Sequence, residues 1–301
     1  MPSSLWIDET NALARVESHE GWLGEALRMF VDQGYAVIRG AVPEPAIDRY
    51  RTQFEGLKAR EPAVRVSDGA RFHSLVGWDM TRPLSRALDT YMFTPTALAL
   101  MFSDKLLQFL NAVFEDDVLA FQSLHFEVGS TQAIHQDTAY VVVDEPLSLA
   151  AAWIALEDVQ EGSGELVYYP GSHRFPPYLY EDGRRHWRPD LDGDGPHDRH
   201  LRQLGETAQA RGIAPALFRP RKGDALIWHA DLAHGGGEIR RDGLTRRSFV
   251  THYCPRRNTP HYFTHTPHAR KIAVGRNAVS SMYYDVHPRT TLRQKLEAIF
   301  G

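Results

Sequence analysis

A chain of 301 residues carries 34 lysines and arginines against 38 aspartates and glutamates, a net charge of −4 with histidine neutral. That near-balance argues against a nucleic-acid partner, which would demand a basic surplus. The longest largely apolar runs, Tyr140–Val143 and Leu147–Leu156, fall far short of the roughly 18 residues a membrane helix needs.

Met1–Ala14 offers no basic start followed by an apolar stretch and a cleavage site. The one cysteine, Cys254, cannot close an internal disulfide, which suits a reducing compartment. A cytoplasmic globular protein is therefore expected, with a small-molecule substrate and no membrane partner. In chain order, Trp22–Val31 and Ile47–Leu57 place apolar residues at three- and four-residue spacing and predict helices. Between them Tyr35–Arg39, bounded by Gly34 and Gly40, predicts a strand. Arg82–Phe114 carries two further helical patterns broken around Pro95.

From Val118 the pattern becomes one of short strands: Val118–Val128, Ala139–Val143, Leu149–Leu156, Glu165–Tyr169, Asp224–His229 and Ser248–Tyr253. Successive strands without intervening helices predict an antiparallel barrel or sandwich. The polar stretch Arg174–Arg221 interrupts the series, as a functional lid or a mobile insertion. Leu292–Phe300 predicts a closing helix.

His135-Gln136-Asp137 is the first chemical signal, because residues i and i+2 of a strand share a face. A second segment, His234-Gly235-Gly236-Gly237, precedes Arg246-Arg247-Ser248 by about twelve residues. Two imidazoles and one carboxylate would leave three metal positions open, the pattern of non-haem Fe(II) oxygenases. A closed zinc site would want four ligands, usually including cysteines, and Cys254 stands alone.

These segments resemble the phytanoyl-CoA dioxygenase-like branch of the Fe(II)/2-oxoglutarate oxygenases. The similarity runs from Gly34-Tyr35-Ala36-Val37-Ile38-Arg39-Gly40 to about Cys254. It takes in His135-Gln136-Asp137, Ala151–Asp158, Gly162–Leu166, Pro170-Gly171-Ser172-His173, Gly223-Asp224, His234-Gly235 and Arg246, in the family's order. The resemblance implies a mainly β fold with flanking helices around a double-stranded β-helix (jelly-roll, cupin-like) core of about eight strands. One domain spanning 1–301 is expected, with a helical cover and one early strand over 1–117. The jelly-roll core would occupy 118–254, with its insertion at 174–221, and an extension would follow over 255–301.

It further implies that His135, Asp137 and His234 bind Fe(II), with 2-oxoglutarate as cosubstrate and O2 as oxidant. Arg246 would hold the distal carboxylate of 2-oxoglutarate, a task suited to a planar bidentate donor. Ser248 lies two residues on along the same strand face, Trp153 matches a position beside the cosubstrate, and Gln122 is a weaker cosubstrate candidate. His229 competes with His234 as the distal ligand, and the following Gly235 and the spacing to Arg246 favour His234. Strand alternation selects Arg246 over Arg247, which is left facing solvent. His229 then reads as a polar core residue or one bonded to a ligand carboxylate, and His173 and His252 read the same way; His73 and His125 could reach the pocket, but nothing local distinguishes them from surface or core histidines. Because Asp137 is present, halogenation is not expected.

The resulting expectation is hydroxylation of an unactivated C–H of a small polar metabolite, with release of succinate and CO2. Two alternatives stand beside it: a metal-dependent jelly-roll enzyme of isomerase type, and a non-catalytic small-molecule-binding barrel. In the insertion, Phe175, Tyr178, Tyr180 and Trp187 beside Arg184, Arg185 and Arg188 predict substrate recognition or a solvated excursion. Tyr140 could also face the substrate. Asp190–Gly195 copies the opening of a calcium loop, but Leu201 stands where a glutamate ligand belongs, so an acidic turn is expected.

Overall fold

The computed structural model describes residues 12, 16–145 and 147–285; the closing helix expected over 292–300 lies outside them. Helix α1 (Gly21–Gln33) buries Leu27, Phe30 and Val31, and stops at Gly34, whose φ is 78°. Only glycine takes that left-handed turn at little cost, and strand β1 (Tyr35–Ile38) follows at once. Helix α2 (Glu44–Arg60) begins with a proline in its first turn and buries Ala46, Ile47, Tyr50 and Phe54 along one face.

The rest of the first third is less helical than its sequence suggests. Three short strands, β2 (Arg65–Ser67), β3 (Phe72–Ser74) and β4 (Arg86–Leu88), extend the main sheet. Pro95 does mark a boundary, but only helices α3 (Thr96–Met101) and α4 (Asp104–Phe114) follow it. The segment before it is β4 and one short 3-10 turn, because Ala87 and Leu88 pair with the strand Val118–Phe126 rather than winding into a helix.

The core strands are β5 (Val118–Phe126), β6 (Ala150–Ala155), β7 (Leu166–Tyr168), β8 (Ala216–Phe218), β9 (Ala225–His229), β10 (His234–Gly236) and β11 (Ser248–Pro255). The main sheet runs β1-β9-β6-β11-β5-β4-β2-β3, and β10-β7-β8 form a second, three-stranded sheet. Two strands of the C-terminal segment, β12 (Ile272–Val274) and β13 (Asn277–Val279), join the main sheet through a parallel pairing of β13 with β5. The sheets face each other without closing into a barrel.

Strand alternation divides the core in two. Ala150, Ala152, Ile154, Ala225, Ile227, Phe249 and Tyr253 pack with the helical layer. Their neighbours Ala151, Trp153, Ala155, Leu226, Trp228 and Val250 turn to the other side, against Leu166, Tyr168 and Phe218 of the small sheet. Each large side chain buried this way contributes roughly 1.5–3 kcal/mol, so register is strongly fixed: a one-residue slip would exchange the two sets. The second set walls the space in which the site lies.

Two expected strand and loop assignments change. Ala139–Val143 is not a strand: Asp137–Ala139 forms a 3-10 turn, and only Val143 makes an isolated bridge, to Pro260. The insertion is ordered around helices α5 (Pro189–Asp192) and α6 (Asp194–Ala210), and it supplies β8. The acidic run 190–195 is therefore helical at both ends, and Asp192 accepts bonds from Arg184 and from the backbone N–H of Arg188.

Candidate metal and cosubstrate site

His135 and His234 face each other as an isolated antiparallel bridge, each backbone N–H donating to the other's carbonyl at 2.9 Å. The segment before His135 presses so close that a Cβ on Gly235 would lie 2.7 Å from the Gln132 carbonyl, and one on Gly236 2.6 Å from Thr131 N. The glycines after the histidine are thus a packing requirement. Asp137 opens the following 3-10 turn, and its buried carboxylate enters the same space.

Ring tautomers are set by backbone carbonyls: His135 Nδ1 donates to Ala133 O at 2.8 Å and His234 Nδ1 to Leu232 O at 2.9 Å. Both Nε2 lone pairs then point inward, and each Nε2 is 3.7 Å from Asp137 Oδ1. Trp228 Nε1 donates to the other carboxylate oxygen, Oδ2, at 2.7 Å. His252 Nε2 stands 3.4 Å from that same oxygen. One ligand atom from each of His135, Asp137 and His234 lies within 4.8 Å of the others, and no other group of three or more His, Cys, Asp or Glu among the described residues does so. Burial first, then the His234 charge, lowers the His135 pKa to about 3, so the imidazole is neutral as a ligand must be. For Asp137 burial acts upward, but the neighbouring imidazoles outweigh it and hold the carboxyl ionised.

The second cluster lies along the same face of β11. Arg246 is only 2% exposed, and its guanidinium sits over the rings of Trp153, at 5.3 Å, and Phe126, at 5.7 Å. Its single bond is a long one to Val128 O, at 3.4 Å, and its Nε has no partner. Burial lowers its pKa to about 10, and no carboxylate among the described residues ion-pairs with it. Ser248 Oγ and Trp153 Nε1 are likewise buried without partners. A buried cation flanked by two idle donors fits a bidentate anion such as a carboxylate.

Residues 30–248 match the phytanoyl-CoA dioxygenase (PhyH) family. The chain belongs to the phytanoyl-CoA dioxygenase family. Members of this family are non-haem iron, 2-oxoglutarate-dependent dioxygenases, and this chain is one of them. It is 22% identical over 250 residues to peroxisomal phytanoyl-CoA dioxygenase of Homo sapiens, covering 76% of this chain and 68% of that protein. Phytanoyl-CoA dioxygenase 1 of Oryza sativa subsp. japonica is 28% identical over 133 residues, 42% of each chain. Among solved structures, SnoN, a non-heme alpha ketoglutarate dependent epimerase from nogalamycin biosynthesis, superposes with a TM-score of 0.57 at 21% identity, covering 78% of this chain and 84% of that one. HygX from Streptomyces hygroscopicus, solved with nickel and 2-oxoglutarate bound, gives 0.53 at 20% identity over 77% and 86%. At these identities the structures establish the jelly-roll fold.

Within this dioxygenase, other residues singled out from the sequence lie away from the cluster. His229 accepts a bond from Asp231 N at 3.1 Å and is not part of the three-residue group. His173 bonds to Val31 O, His125 lies between Tyr50 and Glu127 beneath the helices, and His73 pairs with Asp68. Gln122 Nε2 donates to the Tyr283 hydroxyl at 2.9 Å, and the residue lines the cavity that Tyr140 also lines. Arg247 is not solvated as expected, but bonds Glu127 at 2.7 Å and Glu157 at 2.8 Å. Those acids stand on neighbouring strand ends, out of reach of any reasoning from local spacing. Of the three histidines read as core residues or partners of a ligand carboxylate, His252 is the one that approaches Asp137, and it shares the 246-248-250-252 face. Trp228 carried no sequence signal, since nothing local distinguishes a carboxylate donor from a core aromatic.

Proposed function

We propose that the protein hydroxylates an unactivated C–H of a small, polar metabolite while converting 2-oxoglutarate to succinate and CO2. In this reading His135, Asp137 and His234 hold Fe(II), and Arg246 receives the distal carboxylate of 2-oxoglutarate, with Ser248 and Trp153 as flanking donors. The bound iron supplies open positions for cosubstrate and O2 and the oxidising power for C–H cleavage. The chain's residues do the positioning. Trp228 fixes one oxygen of Asp137 so that the other faces both imidazoles, and carbonyls 133 and 232 fix the imidazole rings. The walls formed by Phe126, Trp153, Leu226 and Val250 keep water from the cosubstrate. Gln122, on the cavity wall, faces substrate rather than 2-oxoglutarate.

The observation that carries the reading is the buried guanidinium of Arg246, which has donors to spare and only the longer-range field of Glu165 to offset its burial, with no carboxylate among the described residues close enough to ion-pair with it. A non-catalytic barrel or an isomerase without 2-oxoglutarate would have no use for it. Adding Fe(II) and 2-oxoglutarate without oxygen should give a visible charge-transfer band, lost in His135→Ala. No band from the wild type would overturn the cosubstrate reading, and an undiminished band in the variant would overturn the ligand assignment. SnoN is an epimerase and SnoK, also from nogalamycin biosynthesis, a carbocyclase, so product analysis must separate hydroxylation from inversion or ring closure.

A further inference from the structure

A cavity of about 560 Å³ opens beside the metal cluster, a size in the range of small-molecule sites. Two residues join it to the chemistry. Tyr140 lines it and sets its ring edge-on to that of His135, with centroids 5.4 Å apart. Gln122 lines it and pairs in register with His252, the neighbour of Asp137.

The lining also carries three imidazoles, His186, His261 and His265. The rings of His186 and His261 are 5.8 Å apart, and those of His261 and His265 5.6 Å. The arginines nearby are already engaged: Arg184 with Asp182 and Asp192, Arg185 with Asp231, Arg188 with Asp190 at 2.7 Å. Asp190, the one acid in the lining, is thereby neutralised by Arg188. The imidazoles themselves ion-pair with no carboxylate among the described residues. Burial first, then Arg184, His261 and Arg188, lower the His186 pKa, and Asp182 acts the other way. A metal does not fit the trio, because their ligand atoms do not group as those of His135, Asp137 and His234 do.

We propose that this cavity is the substrate site and that it takes a small anionic metabolite. The carboxylate or phosphate lies against His186, His261 and His265, and the apolar body lies against Phe121, Tyr140 and Trp187. The proposal rests on the dioxygenase reading above and gives that reading a substrate class. It also places anion recognition on imidazoles supplied partly by the C-terminal segment rather than on the insertion's arginines.

The test uses the full chain, oxygen-free, with Fe(II) and saturating 2-oxoglutarate so that Arg246 is filled. Calorimetric titrations with phenylacetate, phenyl phosphate and neutral phenylacetamide should show at least one acid binding ten-fold or more tighter than the amide. The stronger acid tells carboxylate from phosphate. In the triple variant His186→Gln, His261→Gln, His265→Gln the acid should fall to the amide's affinity while the 2-oxoglutarate band persists. Should the triple variant not fold, His261→Gln alone, at an exposed position, is expected to weaken the acid about three-fold. Equal binding of acid and amide, no acid binding, an acid preference that survives in the triple variant, or an acid affinity unchanged in His261→Gln overturns the proposal. Absence of the band in the wild type fails the cosubstrate reading instead, so the two failures are distinguishable.

Discussion

Arg246 and Arg247 are neighbours at the entry to β11 and meet opposite surroundings. Arg247 turns toward the rim of the sheet, where Glu127 and Glu157 each take one of its N–H groups. Arg246 turns between the two sheets, where it meets aromatic faces and a distant carbonyl, and Glu165 acts on it only from beyond ion-pair distance. A cation paired by the protein's own carboxylates is part of the framework. A cation buried without one carries an uncompensated desolvation cost that only a ligand anion can offset. The same division runs along the strand: Phe249 and Tyr253 pack into the helical core, while Ser248 and His252 line the site.

The sharpest way to break this comparison is to exchange each arginine for methionine. Arg246→Met should weaken 2-oxoglutarate binding about 100-fold, the loss of a charge-assisted pair worth roughly 2–3 kcal/mol. The same change removes an unpaired buried charge, so the ligand-free protein should melt a few degrees higher, roughly 2–4 °C per kcal/mol. Arg247→Met should do the reverse, lowering the melting temperature and leaving 2-oxoglutarate affinity within about two-fold. Calorimetric titration and thermal melts read both, and a lower melting temperature for Arg246→Met would show that the guanidinium is structural after all.

Next in size is Trp228→Phe, which keeps the ring and deletes the donor to Asp137 Oδ2. Groups that orient a ligand typically govern metal affinity by about 10–100-fold. Fe(II) titration should show a loss of that order, with the 2-oxoglutarate interaction at Arg246 intact once iron saturates. An unchanged iron affinity would mean that the turn at Asp137–Ala139 alone orients the carboxylate.

How far the sequence carried each side of β11 depends on how local the cause is. The alternation that separates Arg246 from Arg247 is a property of any strand, so it was legible. The HxD and HGG segments were legible because glycines and metal-ligand types repeat a known order. The helical insertion was not, since α6 has a polar sequence and its folding rests on buried His197, His200, Leu204 and Ala208 meeting partners far along the chain. Tyr140 and Tyr180 both bond the His197 ring, and Trp187 stacks on it at 4.1 Å. The strand expected over Ala139–Val143 failed for a related reason: its β-branched run is bent by the 3-10 turn that delivers Asp137 to the metal cluster. Strands β2, β3 and β4, three residues each, are too short for periodicity to register.

On the paired side, acid should expose what Arg247 holds in place. Burial acts to raise the Glu127 pKa, but bonds from His125 and Arg247 outweigh it and bring it to about 2. A carboxyl depressed on folding stabilises the protein above its unfolded pKa, near 4.5, and that stabilisation is lost as pH falls toward 2. The contribution is of the order of 2 kcal/mol. Urea midpoints should therefore drop between pH 5 and pH 2.5, and Glu127→Gln should flatten that slope while starting from a lower midpoint at pH 7. A variant with the wild-type slope would place the acid sensitivity elsewhere.

The smallest effect expected separates an idle donor from a misplaced one. Ser248 Oγ is buried and unpartnered, so Ser248→Ala removes no bond from the ligand-free protein and should leave its stability unchanged or slightly raised. With 2-oxoglutarate bound, the hydroxyl becomes a donor to the carboxylate that Arg246 holds, and its loss should weaken binding by about 1 kcal/mol, roughly five-fold. The informative quantity is the difference between the two measurements. Loss of stability without loss of affinity would mean that the hydroxyl serves the sheet; loss of affinity alone places it with Arg246 on the ligand's side of the strand.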